Sequence, residues 1–497
     1  MTTSLVTGHL LDRIDRWASL CPERMAVTSG GRHLNWRELV SHSETLACWL
    51  EQELGARPGP VAVHGHKEPE MLVAFLAAVK CGRAYVPMDV SIPEARVAKI
   101  VEGAGAALVL TPKRVSEVLA GFSLPAEVPK LRRVEGKDPF YILFTSGSTG
   151  EPKGVVITLE NLTSFTDWLL AEHKFTEPGE TFLNQAPFSF DLSVMDLYGS
   201  LLSGGTLACI TKDELSNLKL LYQRLAESGV TCWVSTPSFA QMCMIEKGFR
   251  SEMLPHMRRF LFCGETLAPE TASQLLERFP EAEVWNTYGP TEATVATTSV
   301  RVNRGVLEKY SPLPVGYPMP GTHVVVVDEG SVPVAEGERG EILIAGPNVS
   351  PGYLNRADLN AKVFTRYAGL PAYRTGDWGR SKEGLIFFEG RMDGQIKMNG
   401  YRIELGDMEA NLRALPEIAD AVVLPVEKHG KIDSLAAFVV LAEALPGSEF
   451  EVAARVKTRL GERVPPYMVP RKFHFMDAFP MTPNGKADRR ALAARLG

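Results

Sequence analysis

A short run of hydroxyls and glycines that ends in a lysine carries the strongest chemical signal in the sequence. Residues 144–154 read Phe-Thr-Ser-Gly-Ser-Thr-Gly-Glu-Pro-Lys-Gly. Glycines let the backbone approach a polyphosphate, hydroxyl and N–H groups donate hydrogen bonds to its oxygens, and a lysine adds positive charge. The spacing is not that of a Walker A loop, and a flexible surface hairpin is the alternative. The candidate phosphate ligands are Thr145, Ser146, Gly147, Ser148, Thr149 and Lys153.

Four later segments carry further groups that suit nucleotide chemistry. They read Asn-Thr-Tyr-Gly-Pro-Thr-Glu-Ala-Thr at 286–294, Tyr-Arg-Thr-Gly-Asp at 373–377, Gly-Arg-Met-Asp-Gly at 390–394 and Pro-Asn-Gly-Lys at 483–486. A carboxylate is a hard oxygen ligand for a metal ion that clamps phosphates, and the face of a tyrosine suits a purine. Each segment taken alone would more often be a structural turn, so their order along the chain is what makes them informative.

Together, these five segments resemble the motifs of the adenylate-forming superfamily, which includes acyl-CoA synthetases, luciferases and the adenylation domains of nonribosomal peptide synthetases. The resemblance runs from about Asp12 to the C-terminus. In this family the tyrosine at Tyr288 lies along the adenine, and the carboxylate at Asp377 accepts hydrogen bonds from the ribose. Glu292 would help to hold Mg²⁺. The nucleotide ligands that the resemblance implies beyond the loop are Asn286, Thr287, Tyr288, Thr291, Asp377 and Arg391.

The resemblance also implies a hinge at Asp393 and a catalytic lysine at Lys486. A residue at an element boundary can absorb a backbone change while two rigid domains reorient. Negative charge accumulates when a carboxylate attacks a phosphate, and a positioned cation stabilises that charge selectively in the transition state. The alternatives are an ordinary turn at Asp393 and a solvated lysine at Lys486.

The substrate is indicated by Phe-Asp-Leu-Ser at 190–193, which resembles the segment that binds the α-ammonium group in amino-acid-activating members. A desolvated cation needs a carboxylate partner, which Asp191 would supply. The alternative is that Asp191 caps the helix that follows. Pocket positions carried over from the family are Leu192, Met195, Leu261, Cys263, Thr287 and Val295. Several of these are bulky and apolar, which leaves room for only a small side chain.

Longer stretches are similar to the subgroup of ligases that load D-alanine onto a carrier protein. They cover residues 186–196, 235–240 and 260–265. In that subgroup the cysteine at Cys263 borders the substrate and favours the D isomer. A buried strand thiol is an equally good interpretation of Cys263. The resemblance implies D-alanine as the substrate, with L-alanine, proline and serine as alternatives.

The elements that must position these groups fall into an α/β pattern. Strand-like and helix-like stretches alternate in the first half, which favours a largely parallel sheet. Residues 301–389 read as a β-subdomain, and the pattern after 390–394 indicates a small, mobile α+β domain. We therefore predict an N-terminal adenylation core over residues 1–392, which binds ATP and the amino acid, and a C-terminal lid domain over 393–497 that carries the lysine.

Composition excludes several other classes of protein. The chain has 497 residues, 45% of them hydrophobic and 23% charged, with a formal net charge of −6. No basic run suits nucleic acid, the longest apolar run (Met71–Val79) is too short to span a membrane, and no signal peptide is evident. The seven cysteines are scattered, which argues against a zinc site or a disulfide framework. We expect a cytoplasmic protein.

The sequence therefore predicts an ATP- and Mg²⁺-dependent, AMP-forming ligase. It would activate a small amino acid as an adenylate and pass it to the phosphopantetheine thiol of a separate carrier protein. The alternatives are a freestanding adenylating enzyme for another amino acid in natural-product biosynthesis, an acyl-CoA ligase, and a nucleotide-binding regulator without activity.

Overall fold

The computed structural model describes residues 8–124, 131–147, 150–175, 179–392, 394–398, 401–428, 431–443, 445–482 and 487–496. Its contacts group into two units. Unit 1 comprises Met1–Asp89, Gly103–Leu143 and Gly154–Met392, and unit 2 comprises Val90–Glu102, Phe144–Lys153 and Asp393–Gly497. The functional division of the chain at 392/393 stays a prediction.

The described residues contain helices in both units. In chain order they are α1 (Leu10–Asp15), α2 (Trp17–Leu20), α3 (Trp36–Leu54), α4 (Pro69–Lys80), α5 (Glu94–Ala104), α6 (Pro112–Gly121), α7 (Leu159–Glu172), α8 (Leu192–Ser203), α9 (Lys212–Ser216), α10 (Leu218–Glu227), α11 (Pro237–Cys243), α12 (Pro269–Arg278), α13 (Arg304–Lys309), α14 (Ala357–Val363), α15 (Leu405–Arg413), α16 (Glu449–Gly461) and α17 (Arg489–Ala493). Short 3₁₀ turns lie at Thr291–Ala293 and Pro466–Met468.

Strands form the sheets on which the helices pack. They are β1 (Met25–Ser29), β2 (Arg32–Asn35), β3 (Val61–Gly65), β4 (Tyr85–Asp89), β5 (Leu108–Leu110), β6 (Pro139–Thr145), β7 (Lys153–Thr158), β8 (Thr181–Asn184), β9 (Thr206–Cys209), β10 (Cys232–Ser235), β11 (Arg259–Phe262), β12 (Glu283–Tyr288), β13 (Thr298–Val302), β14 (Tyr317–Pro318), β15 (His323–Val327), β16 (Gly340–Ala345), β17 (Gly352–Tyr353), β18 (Phe364–Tyr367), β19 (Leu370–Lys382), β20 (Leu385–Arg391), β21 (Gln395–Met398), β22 (Tyr401–Glu404), β23 (Ile418–Lys428), β24 (Lys431–Leu441) and β25 (Lys472–Met476).

The largest sheet has nine strands in the order β14-β13-β12-β11-β10-β8-β9-β1-β2. Its pairs from β12 through β11, β10, β8 and β9 to β1 are all parallel. A second sheet has the order β17-β7-β6-β4-β3-β5. The predicted α/β class with a largely parallel sheet is confirmed. Ligands of such sheets bind at the carboxyl ends of the strands, where β8, β11 and β12 lead into predicted site residues.

The β-rich region after residue 301 forms an antiparallel sheet in the order β15-β16-β19-β18, with β20 paired to β19. The sequence pattern suggested that this region would end near Gly390. Strand β20 instead continues to Arg391, because Arg391 lies opposite Asp377 in the ladder. This register places a cation and a carboxylate side by side.

Unit 2 contains the three-stranded sheet β23-β24-β25 and the hairpin β21–β22. Helix α16 covers its core with Val452, Val456 and Leu460, which are 4%, 0% and 0% exposed. Their i, i+4, i+8 spacing places the three side chains on one face of the helix.

A buried lysine joins the ends of two parallel strands. The Lys67 ammonium donates hydrogen bonds to the carbonyls of Asn184, Gln185 and Ile210 at 3.0, 2.7 and 2.8 Å. Burial lowers the pKa of Lys67 to about 8. Because all three N–H groups bind carbonyls, Lys67 holds the chain in place shortly before Asp191.

Within the described ranges, no helix is long and apolar enough to cross a membrane.

His173 should make the stability of the protein sensitive to acid. Its ring is 2% exposed and lies edge-on to Trp285, and neither ring nitrogen has a hydrogen-bond partner among the described residues. Burial, and then the charge of Arg259, lower the pKa of His173 to about 3. The unfolded chain binds this proton below about pH 6.5, whereas the folded chain does not. This contribution to stability is therefore complete above pH 6.5 and is lost as the pH falls towards 3.

The test is urea denaturation of His173→Leu between pH 4.5 and 7.5. We expect its free energy of unfolding to depend less on pH than that of the wild type. His256→Gln, at an exposed histidine, serves as the control and should follow the wild type. Parallel pH profiles for His173→Leu and wild type would contradict this assignment.

Candidate active site

Two predicted nucleotide ligands, Tyr288 and Arg391, bind a third, Asp377. Its Oδ2 accepts a hydrogen bond from the Tyr288 hydroxyl at 2.5 Å, and its Oδ1 pairs with Arg391 Nη1 at 2.6 Å. Burial, and then the Asp377 charge, raise the pKa of Tyr288 well above its usual value, so the phenol stays protonated and donates. A carboxylate oxygen has more than one acceptor site. Asp377 can therefore still accept hydrogen bonds from ribose hydroxyls while its own position is fixed.

Asn286 and Thr287, which directly precede Tyr288 in the motif at 286–294, bind backbone carbonyls. Asn286 Nδ2 donates to the Pro314 carbonyl at 2.8 Å, and Thr287 Oγ1 donates to the Phe262 carbonyl at 2.8 Å. Both side chains are 3% exposed. These bonds fix the end of β12 against its neighbours.

Asp191 lies at the start of α8 but does not cap it. Its backbone is helical, with φ −62° and ψ −30°, and its side chain makes no capping hydrogen bond. The alternative that Asp191 is a helix cap is therefore wrong. The carboxylate instead accepts a hydrogen bond on Oδ2 from the Thr291 hydroxyl at 2.8 Å. Asp191 is thus joined to the nucleotide motif.

Glu292 is 0% exposed, and its Oε1 accepts a hydrogen bond from the Tyr353 hydroxyl at 2.6 Å. The Tyr353 hydroxyl also lies 3.4 Å from that of Tyr373. No group of three or more metal-binding side chains occurs in the described part of the chain. Mg²⁺ commonly uses one or two carboxylates together with substrate phosphates. A single oriented carboxylate fits that mode of binding.

Five of the six predicted pocket residues lie in one buried hydrophobic cluster. Their exposures are Leu192 6%, Met195 1%, Leu261 0%, Cys263 4% and Val295 2%. Phe190 packs against the same cluster. The Cys263 thiol lies 3.7 Å from the Val295 carbonyl, to which it donates. The sixth residue, Thr287, donates to the backbone carbonyl of Phe262, which lies between Leu261 and Cys263 in the chain.

The turn that carries Val295 has an unusual backbone. Thr294 and Val295 have φ values of +56° and +68°, where side-chain-bearing and especially β-branched residues are strained. Asn348 holds this turn, since its Nδ2 donates to the Ala293 carbonyl at 2.9 Å and its carbonyl accepts from Thr294 Oγ1 at 2.7 Å. Asn348 is 0% exposed.

Sequence reasoning did not identify Asn348 or Tyr353, because no local pattern distinguishes them. Tyr353 follows a glycine, Gly352, but this pair does not by itself indicate a functional site.

The phosphate loop belongs to unit 2. Thr145 Oγ1 lies 3.5 Å from the Lys153 carbonyl, and Ser146 Oγ donates to the Arg402 carbonyl at 3.0 Å. The Lys153 ammonium lies 3.7 Å from Glu404 Oε1. A side chain at Gly147 would collide with the Glu151 carbonyl oxygen, so the tight turn requires glycine.

Four predicted site residues lie outside the described residues, namely Ser148, Thr149, Asp393 and Lys486.

The structure does describe both ends of the segment that contains the predicted lysine. Met481 and Ala487 form a β-bridge, and Asp488 N donates to the Pro480 carbonyl at 2.7 Å. Arg489 pairs with the carboxylate of Glu409, whose side chain is 6% exposed. The described residues on either side of 483–486 are therefore held by a β-bridge, a backbone hydrogen bond and an ion pair within unit 2.

Two family models match the chain. The model described as AMP-binding enzyme matches residues 14–354, and that described as AMP-binding enzyme C-terminal domain matches residues 407–486. The chain therefore belongs to the AMP-binding enzyme family, and the resemblance read from its motifs is confirmed.

Individual relatives are similar over nearly their full length. The chain is 47% identical to the D-alanine--D-alanyl carrier protein ligase of Bacillus licheniformis, covering 97% of this chain and 98% of that one. It is 45% identical to the ligase of the same name from Bacillus mycoides, covering 98% and 99%. An artificially fused adenylation–PCP di-domain, NpsA-ThdA from Klebsiella oxytoca, has a TM-score of 0.81 at 26% identity, covering 94% and 93%. The prediction that the protein is an ATP-dependent ligase is confirmed.

Proposed function

We propose that this enzyme activates D-alanine as D-alanyl-AMP and transfers the D-alanyl group to the phosphopantetheine thiol of a separate carrier protein. The observation that carries the proposal is the position of Asp191, beside a buried apolar cluster and bonded to the nucleotide motif. A carboxylate there suits an α-ammonium group, and the bulky cluster suits a methyl side chain. The names of the full-length relatives support the same substrate.

In the first half-reaction, a carboxylate oxygen of D-alanine attacks the α-phosphorus of ATP. The bond between the α-phosphorus and the bridging oxygen breaks, and pyrophosphate leaves. Asp191 binds the ammonium group, Asp377 binds the ribose, and Lys486 stabilises the charge that accumulates on the α-phosphate. Mg²⁺ bound by Glu292 and phosphate oxygens would neutralise part of the charge of the leaving group.

In the second half-reaction, the carrier thiol attacks the carbonyl carbon of D-alanyl-AMP. The thiol loses its proton, the carbonyl–phosphate bond breaks, and AMP leaves with a D-alanyl thioester as product. The resemblance to the family implies that the C-terminal domain turns about Asp393 between the two steps. We infer no side-chain nucleophile, because the carboxylate and the thiol perform both attacks.

The test is ATP–pyrophosphate exchange with D-alanine, L-alanine, L-proline and L-serine. We expect kcat/KM for D-alanine to exceed that for each of the others by at least about tenfold, since one misplaced methyl group in a tight pocket costs this much. Equal or faster exchange with L-alanine would contradict the stereochemical part of the proposal. Efficient transfer to free coenzyme A would instead identify an acyl-CoA ligase.

A further inference from the structure

We propose that Thr291 is a positioning residue for the Asp191 carboxylate, so that a residue of the nucleotide motif sets the affinity for the substrate ammonium group. The inference rests on the proposed function, in which Asp191 binds that ammonium. It assigns to Thr291 a role distinct from the nucleotide contact that the family resemblance implies.

The Asp191 carboxylate is oriented by a hydroxyl from outside its own helix. A residue at the start of a helix normally uses its side chain to bond backbone N–H groups of the first turn. Asp191 makes no such bond, because its own backbone is already helical. The Thr291 hydroxyl takes over this task across 100 positions of sequence, at 2.8 Å from Asp191 Oδ2. Hydrogen bonds to a carboxylate are short, strong and directional.

Thr291 itself lies in a turn that buried hydrogen bonds hold in place. Thr291 is 7% exposed and is the first residue of the 3₁₀ turn Thr291–Ala293. Ser350 N donates to the Glu292 carbonyl at 2.9 Å, and Asn348 donates to the Ala293 carbonyl. The turn is thus fixed at successive residues. A rigid donor restricts the carboxylate to one direction, which lowers the entropic cost of ordering it around an ammonium group.

The single hydroxyl proton of Thr291 is engaged by Asp191. A threonine hydroxyl donates one hydrogen bond, and here that bond goes to Asp191. Thr291 can still accept hydrogen bonds from other groups, but it cannot donate to a phosphate oxygen without releasing Asp191. The same hydroxyl therefore connects the amino-acid site with the nucleotide site.

The experiment compares Thr291→Val with Thr291→Ser in pyrophosphate exchange. Valine keeps the shape of threonine without the hydroxyl, whereas serine keeps the hydroxyl. We expect Thr291→Val to raise the KM for D-alanine by about tenfold, as for loss of one bond to a charged group, and to raise the KM for ATP by a smaller factor. Thr291→Ser should restore the KM for D-alanine to within about threefold of wild type.

A double-mutant cycle with Asp191→Asn separates positioning from a general structural effect. In the Asp191→Asn background, Thr291→Val should add less than about a twofold further change in the KM for D-alanine. A rise in the KM for ATP alone, or an undiminished effect in that background, would overturn the proposal. Thr291→Ala serves if thermal melting shows that the valine variant does not fold.

Failure of the proposed function gives a different result, because the wild type itself would then prefer an amino acid other than D-alanine. The same cycle is then run with the amino acid that the wild type prefers. A large effect of Thr291→Val that disappears in Asp191→Asn supports the positioning role for that substrate.

Discussion

Replacement of Lys486 by alanine should lower D-alanine-dependent pyrophosphate exchange by about a thousandfold. Two anions approach each other in the first half-reaction, and a positioned cation is the group that stabilises the resulting charge. The loss should fall on kcat, with little change in the KM for either substrate, because the interaction forms mainly in the transition state. Thioester formation from supplied D-alanyl-AMP should be retained, since that step breaks no phosphoanhydride bond.

The structure indicates why this substitution should leave the fold intact. Met481 and Ala487, which flank residues 483–486 in the chain, form a β-bridge, and Arg489 forms an ion pair with Glu409. None of these contacts uses the Lys486 side chain. Lys472→Ala, at an exposed lysine of the same unit, is the matched control and should exchange at the wild-type rate. Substantial exchange by Lys486→Ala would show that another cation performs this role.

Replacement of Asp191 by asparagine should lower kcat/KM for D-alanine by about a hundredfold or more. Leaving a buried ammonium group without its charged partner costs several kcal/mol. Asparagine has the shape of aspartate, and its amide oxygen can still accept from Thr291, so the local packing is preserved. The KM for ATP should change little.

The discriminating measurement for Asp191→Asn uses D-lactate, which has a hydroxyl in place of the ammonium group. Wild type should use D-lactate poorly, and Asp191→Asn should use it no worse. Asp213→Asn, at an exposed aspartate in α9, should match the wild type with both substrates. If Asp191→Asn loses activity on D-alanine and D-lactate equally, the carboxylate does not act through the ammonium group.

Local sequence patterns were sufficient for most of the fold. The buried face of α16 follows from the i, i+4, i+8 spacing of Val452, Val456 and Leu460, because the helical period is a property of neighbouring residues. The groups around Asp377 followed from recognisable motifs. Sequence alone did not show that Asp377 uses both of its oxygens, since Tyr288 and Arg391 reach it from separate strands.

Long-range contacts account for what the sequence left undetermined. Asn348 reaches Ala293 over 55 positions, and Thr291 reaches Asp191 over 100. Neighbouring residues do not reveal either pairing. From the sequence, Asp191 could therefore also be interpreted as a helix cap. The left-handed backbone at Thr294 and Val295 is also invisible in the sequence, because glycine and asparagine, the usual residues at such positions, are absent there.

The strained turn at Thr294 and Val295 has a consequence for attempts to retarget this enzyme. Their backbone persists because Asn348, a residue distant in sequence, holds it through buried hydrogen bonds. A mutant library that varies only the residues of the proposed amino-acid pocket would leave the backbone of this turn in its present position. Randomising position 348 together with position 295 would allow the backbone of the turn to move. The resulting variants would therefore accept substrates that side-chain exchange alone leaves inaccessible.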